Sequence, residues 1–149
     1  MKIERGGEEL YDELTALWER SVRASHSFLS EDDIRSLRPA VREQALASLE
    51  LWIARAENGE TIGFIGLNGA NVEALFIDPA FFGRRAGTQL LDHARALCGP
   101  LIVDVNEDNP KAVGFYEHYG FERTGRSETD SAGRPFPLIH MAMPGAEKD

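Results

Sequence analysis

The hydrophobic pattern changes period once, at Leu51, and this switch limits the folds open to the chain more than any other feature. Before it the spacing is helical: Leu10, Leu14, Leu17, Trp18 and Val22 put one apolar stripe on a charged segment, which predicts an amphipathic helix between Glu8 and Val22. Ser30 followed by Glu31, Asp32 and Asp33 reads as a cap with acids in the first turn, and Ile34, Leu37, Val41, Ala45 and Leu49 continue a second stripe. Pro39 removes a backbone donor and crowds the turn before it, so this second helix is expected to break or kink near Arg38. After Leu51 the runs are short and β-rich. Residues 51–55 and 61–67 flank Glu57-Asn58-Gly59-Glu60, and Asn-Gly is the strongest short hairpin signal.

A third strand is predicted at 72–77, followed by a loop with Gly83 and Gly87 and by a helix carrying Leu90, Leu91, Ala94, Leu97 and Cys98. Residues 101–105 are a further β-run, 111–119 a short helix, and 121–127 and 138–143 two more strands. With a short strand at 2–5, the order is β-α-α-β-β-β-α-β-α-β-β. No repeat or linker separates two cores, so residues 1–149 are expected to form a single domain. Within it, 1–50 supplies the first strand and helices, 51–143 the core sheet, and 144–149 a flexible tail.

Composition narrows the function. A chain of 149 residues, 42% apolar and 28% charged, can bury a packed core. The 16 Lys and Arg against 25 Asp and Glu leave a net charge of -9, which argues against nucleic acid as a partner. The N-terminus lacks the apolar region of a signal peptide, and no apolar run approaches the ~18–20 residues that span a bilayer. A soluble, cytoplasmic protein with no membrane partner is expected. Cys98 is the only cysteine, which excludes a disulfide framework and a multi-cysteine zinc site, and no metal is expected.

The chemistry is concentrated between Leu75 and Tyr116. Phe82-Gly83-Arg84-Arg85-Ala86-Gly87-Thr88 places backbone N–H groups and a helix N-terminus after a strand, a setting that suits a phosphate or pyrophosphate, and Arg84 and Arg85 add two cations. A plain turn satisfies the same pattern. Downstream, Asn109 to Phe121 contains N-x-x-A-x-x-F-Y-x-x-x-G-F. Together the loop, this motif about twenty residues later and the element order resemble the GCN5-related N-acetyltransferase (GNAT) superfamily over nearly the whole chain. Ser25-His26-Ser27-Phe28-Leu29-Ser30, Leu75-Phe76-Ile77-Asp78-Pro79 and Gly125-Arg126-Ser127 with Pro135-Phe136-Pro137-Leu138 look like its YjaB-like bacterial branch.

The resemblance implies an α/β (α+β) domain with a mixed, mostly antiparallel sheet of about six to seven strands and helices on both faces. It implies transfer of acetyl from acetyl-CoA directly to an amine, a peptide lysine or a small amine, by a monomer or homodimer. Leu75, Phe76 and Ile77 would pair with the pantetheine and polarise the thioester carbonyl, with the pyrophosphate on the loop from Phe82 through Thr88. Asn109, Ala112, Phe115 and Tyr116 would complete the cofactor site, and Tyr116 would protonate the departing thiolate. Tyr119, one helical turn later, is favoured for packing. The usual loop reads Q/R-x-x-G-x-G/A, whereas this chain has Phe82 for the first residue and Arg85 for the central Gly. A lost polar contact at Phe82 removes up to about 1.5–3 kcal/mol, and a left-handed Arg85 adds about 1–2 kcal/mol of strain. Weaker or altered CoA binding is therefore expected, and a catalytically impaired CoA-binding or sensory module is the alternative to a transferase.

On the acceptor side, Glu73 shares strand parity with Leu75 and Ile77, which makes it a general-base candidate against the plainer reading of a solvated carboxylate. His26 and Phe28, between the first two helices, are candidate substrate contacts, and so is His140 on the last strand, where a structural role competes. Glu31, Asp32 and Asp33 either draw a cationic amine toward the site or only begin the second helix.

Overall fold

The computed structural model describes residues 1–25, 29–130 and 132–146. Seven strands form one sheet in the order β1-β2-β3-β4-β5-β7-β6: β1 (Lys2–Arg5), β2 (Glu50–Arg55), β3 (Thr61–Asn68), β4 (Asn71–Ile77), β5 (Ile102–Asn106), β6 (Glu122–Ser127) and β7 (Leu138–Ala142). Every neighbouring pair is antiparallel except β4 and β5. The helices are α1 (Tyr11–Ser25), α2 (Glu31–Ala40), α3 (Leu46–Ser48), α4 (Ala86–Cys98) and α5 (Pro110–Tyr119). The expected class and strand count are what the structure has.

The sheet separates two apolar cores. On one face Leu14, Leu17, Trp18 and Val22 of α1 pack with Ile34, Leu46, Leu51, Ile53 and Phe64. On the other, Leu90, Leu91 and Ala94 of α4 and Val113 and Tyr116 of α5 pack with Ile65, Val103, Val105, Ile139 and Met141. The stripes read from the sequence are these contacts, and burying a Leu or Ile side chain contributes about 1.5–3 kcal/mol.

Pro39 does not end α2. The helix runs through it to Ala40, widens into a π-helical turn at Val41–Ala45 and continues as α3. Of the break or kink expected near Arg38, the break does not occur; the chain passes the proline and goes on through the widened turn. At the start of α2 the Ser30 hydroxyl accepts from Asp33 N–H while the Asp33 carboxylate accepts from Ser30 N–H, a reciprocal cap. Glu31 pairs with Arg23 at 2.9 Å and Asp32 with Arg35 at 3.3 Å, so the acids after the α1–α2 loop are engaged in beginning a helix. Among the described residues no helix is long and apolar enough to cross a membrane.

Candidate active site

The site begins where two strands part. β4 and β5 pair only at Asn71 with Ile102 and Val72 with Val103, although both continue beyond these residues. A bulge in β4 lies between the pairings of Val72 with Leu67 and Ala74 with Gly66. It inserts one unpaired residue, Glu73, and changes the direction of the strand. The gap that opens between the strands has a volume of about 130 Å³ and is lined by residues 72–76 of β4, by Val103, Asp104, Val105 and Asn106 of β5, and by Asn109, Ala112 and Tyr116.

Leu75, Phe76, Asn109, Ala112 and Tyr116 also line a cleft of about 520 Å³ that extends along the end of β4 to the start of α4. Phe82, Gly83, Arg85, Ala86, Gly87 and Thr88 form its far end, and Ile77 and Phe115 its walls. Arg20 of α1 holds this end of β4 from the other face through a 2.8 Å ion pair with Asp78. Gly87 has a packing role: a Cβ there would lie 3.2 Å from Phe115 Cζ, so its absence lets α4 approach α5.

At the loop, Gly83 has φ +78° and Arg85 φ +65°, the left-handed region that an L side chain enters at a cost of about 1–2 kcal/mol. Arg85 is the N-cap of α4 and makes no side-chain cap. The first helical bond is Gln89 N–H to Arg85 C=O at 3.0 Å, so the N–H groups of the turn before it are not used by the helix. Arg84 does not line the cleft; its guanidinium lies 5.6 Å from the Phe81 ring centroid. Phe82 is 46% exposed at the rim.

α5 supplies the inner wall. Asn109 is buried and caps its own helix, its Oδ1 accepting from Ala112 N–H at 3.2 Å. Tyr116 is 8% exposed, with Phe115 and Phe121 against its ring at centroid distances of 5.2 and 5.3 Å, and no hydrogen bond to its hydroxyl occurs among the described residues. Burial pushes its pKa well above that of a free phenol, so the proton is held at neutral pH. Tyr119, in contrast, points to α4: its hydroxyl donates to Asp92 at 2.6 Å and its pKa is raised to about 12 by burial and by that carboxylate.

Of the acceptor candidates, Glu73 is placed differently from its expected position. The bulge breaks the parity of β4, so Glu73 does not share the face of Leu75 and Ile77. It lies instead by the gap and by a cavity of about 420 Å³ with Trp18, Phe64, Ala74 and Phe76 on the α1 side. His140 has both ring nitrogens engaged, Nδ1 with Asp104 Oδ1 and Nε2 with Ser127 Oγ, each at 2.6 Å. His26 and Phe28 lie outside the described residues. The sequence reading missed Ser21 and Ser25, one turn apart on α1, and Phe81 and Lys111, all of which line the cleft. The i, i+4 spacing of the two serines was the available signal. Asp104 was also missed, because alternation alone makes it a solvated strand residue.

The family model described as an acetyltransferase (GNAT) domain matches residues 23–144. The chain belongs to the GNAT acetyltransferases. It is 43% identical over 146 residues to the peptidyl-lysine N-acetyltransferase YjaB of Escherichia coli (strain K12), covering 98% of this chain and 99% of that protein. The solution structure of the apo form of YjaB from Escherichia coli superposes with a TM-score of 0.87 over 97% of this chain and 98% of that one, at 43% identity. At 21% identity, the PaiA N-acetyltransferase from Thermoplasma acidophilum, solved in complex with coenzyme A, shares the fold with a TM-score of 0.73 over 96% of this chain and 99% of that one. This GNAT chain is thus an acyltransferase whose cleft lies at the opening between β4 and β5.

Proposed function

We propose that this acetyltransferase moves the acetyl group of acetyl-CoA directly onto the side-chain amine of a peptide lysine. The observation that carries the reading is the divergence of β4 from β5 after Val72 and Val103, with the buried Tyr116 phenol, unpartnered among the described residues, at the opening. An open strand edge offers backbone N–H and C=O groups to an extended amide chain such as pantetheine. The cleft residues fit such a ligand: apolar walls at Leu75, Ile77 and Phe115, and free backbone donors with Arg85 at the α4 end, where a pyrophosphate would sit. Lys111 adds a cation on the same cleft.

The chemistry asks little of the protein, because a thioester is already activated. The β4 backbone around Leu75 would hold the carbonyl and stabilise the charge that develops on its oxygen as the amine attacks. Tyr116 would donate to the sulfur as the C–S bond breaks. The lysine acceptor rests on the likeness to the peptidyl-lysine enzyme of Escherichia coli, across 98% of this chain. Calorimetric titration with acetyl-CoA and CoA, followed by mass spectrometry of a lysine peptide incubated with acetyl-CoA, tests the reading. Binding of both cofactor forms and a mass gain at lysine are expected. Binding without transfer would replace it with a CoA-binding sensory module, and no binding of either form would remove both.

A further inference from the structure

Three strands carry a hydrogen-bonded chain of side chains that ends at the gap. Asp104 on β5 is directly opposite His140 on β7, and His140 is opposite Gly125 on β6. The His140 ring lies over Gly125, where an added Cβ would make only ordinary van der Waals contact with His140 Cδ2, at 3.5 Å. The ring reaches Ser127, two residues further along β6, and its other nitrogen meets Asp104. An ionised carboxylate only accepts, so Nδ1 carries the proton toward Asp104, and in the neutral ring Nε2 accepts from the Ser127 hydroxyl.

The neighbours of Asp104 on its strand, Val103 and Val105, face the α4–α5 core, so Asp104 lies on the opposite face, where it lines the gap with Glu73 on the other strand. The same gap is lined by Tyr116, more than nine-tenths buried and without a hydrogen-bond partner among the described residues. Two carboxylates and one idle phenol at a single opening describe a place for a cation that is to lose a proton.

We infer that Asp104 is the carboxylate that meets the acceptor's ammonium, and that His140, fixed by Ser127, is a positioning residue acting through Asp104. The inference rests on the transferase reading and extends it to the recognition of a protonated primary amine. A lysine amine is protonated near pKa 10.4 and must shed a proton before its lone pair can attack. Forming the N–C bond and breaking the C–S bond removes two protons from the nitrogen. One passes to the free oxygen of Asp104 and on to solvent, and the other balances the proton that Tyr116 gives to the sulfur. His140 holds one carboxylate oxygen and leaves the other for the amine.

The test uses acetyl-CoA and a lysine peptide, with calorimetry on CoA-saturated protein titrated with the lysine peptide and with its norleucine counterpart. Asp104→Asn should lower kcat/KM for the peptide by roughly 10–100-fold, the range for losing a charge-assisted hydrogen bond, with acetyl-CoA affinity unchanged. It should also erase the preference for lysine over norleucine. His140→Phe should follow Asp104→Asn, and His140→Asn, which keeps an N–H near the position of Nδ1, should recover much of the loss. Thermal unfolding of each variant separates a folding defect from a site defect. The inference is overturned if Asp104→Asn stays within about twofold of the parent, if His140→Phe and His140→Asn are equally impaired, or if the parent binds both peptides alike. Failure of the parent protein to bind acetyl-CoA or acetylate the peptide would overturn the transferase reading and this inference with it; normal turnover with an unaffected Asp104→Asn overturns this inference alone.

Discussion

Two helices present their N-termini to the same cleft, and they are finished in opposite ways. α5 is closed: Asn109 caps it through Ala112 N–H, and Pro110 occupies the first turn, where a missing donor costs nothing. α4 is open: Arg85 sits in a left-handed conformation at its N-cap without a side-chain cap, and residues 85–88 line the cleft. A helix end left open beside a strained residue stores unmet hydrogen-bonding capacity for a ligand, whereas a capped end gives a rigid wall. Under the proposed function the capped helix carries the phenol assigned as the acid, which must be placed well, and the open helix carries the end assigned to the pyrophosphate, which needs charge and donors more than fine placement.

The largest test of that division is on α5. Tyr116→Phe is expected to lower kcat by roughly 10²–10⁴-fold with acetyl-CoA affinity nearly intact, as for the loss of a proton donor, whereas Tyr119→Phe should do much less because its hydroxyl serves Asp92. Steady-state kinetics beside calorimetry measures both, and the reverse order would move the acid to the outer tyrosine.

Next in size is the open end. Arg85→Ala should weaken acetyl-CoA binding about tenfold, the lower range for a charge-assisted contact, while Arg84→Ala changes it little because that guanidinium lies over Phe81. Arg85→Gly relieves about 1–2 kcal/mol of left-handed strain, against about 0.5–1 kcal/mol of added chain entropy, so the unliganded protein should gain up to about 1.5 kcal/mol in thermal unfolding. Tighter acetyl-CoA binding by Arg85→Gly would show that the side chain obstructs the loop.

Asn109→Ala removes the cap of the closed helix and should cost about 1 kcal/mol of stability, within the usual range of about 0.5–2 kcal/mol. A loss seen only in acetyl-CoA affinity would mean that Asn109 acts as a ligand contact and not as a cap. The smallest effect is that of salt. Raising ionic strength should weaken acetyl-CoA binding a few-fold through the open end, with roughly unchanged thermal stability of the unliganded Asn109→Ala variant relative to its parent.

Much of this was legible in the residues. The runs at 51–55, 61–67 and 72–77 predict their strands to within one residue, and the stripe between Glu8 and Val22 predicts α1 to within three, because amphipathic periodicity is local and each element has one face in one of two cores. The loop was legible as an anion site from its glycines and helix start, which are local geometry, and the motif around Asn109 and Tyr116 from its resemblance to the GNAT pattern. The places where local reasoning failed are those where a neighbour decides. Pro39 was expected to break or kink its helix near Arg38; the break does not occur, and the widened turn beyond it carries the chain on to Ser48.

Chain order and periodicity by themselves therefore determined the order of the elements and the class of fold, and the resemblance carried by the loop and the Asn109–Phe121 motif pointed to the residues that line the cleft. Only the tertiary structure decided which carboxylates face the gap. A bulge set by the pairing of β4 with β3 turns Glu73 away from Leu75, and the register of β5, β7 and β6 brings Asp104, His140 and Ser127 together although Asp104 and His140 are 36 positions apart. Register is a non-local property: one residue of slip sends every side chain of a strand to the other face, and no single strand's own sequence contains that choice.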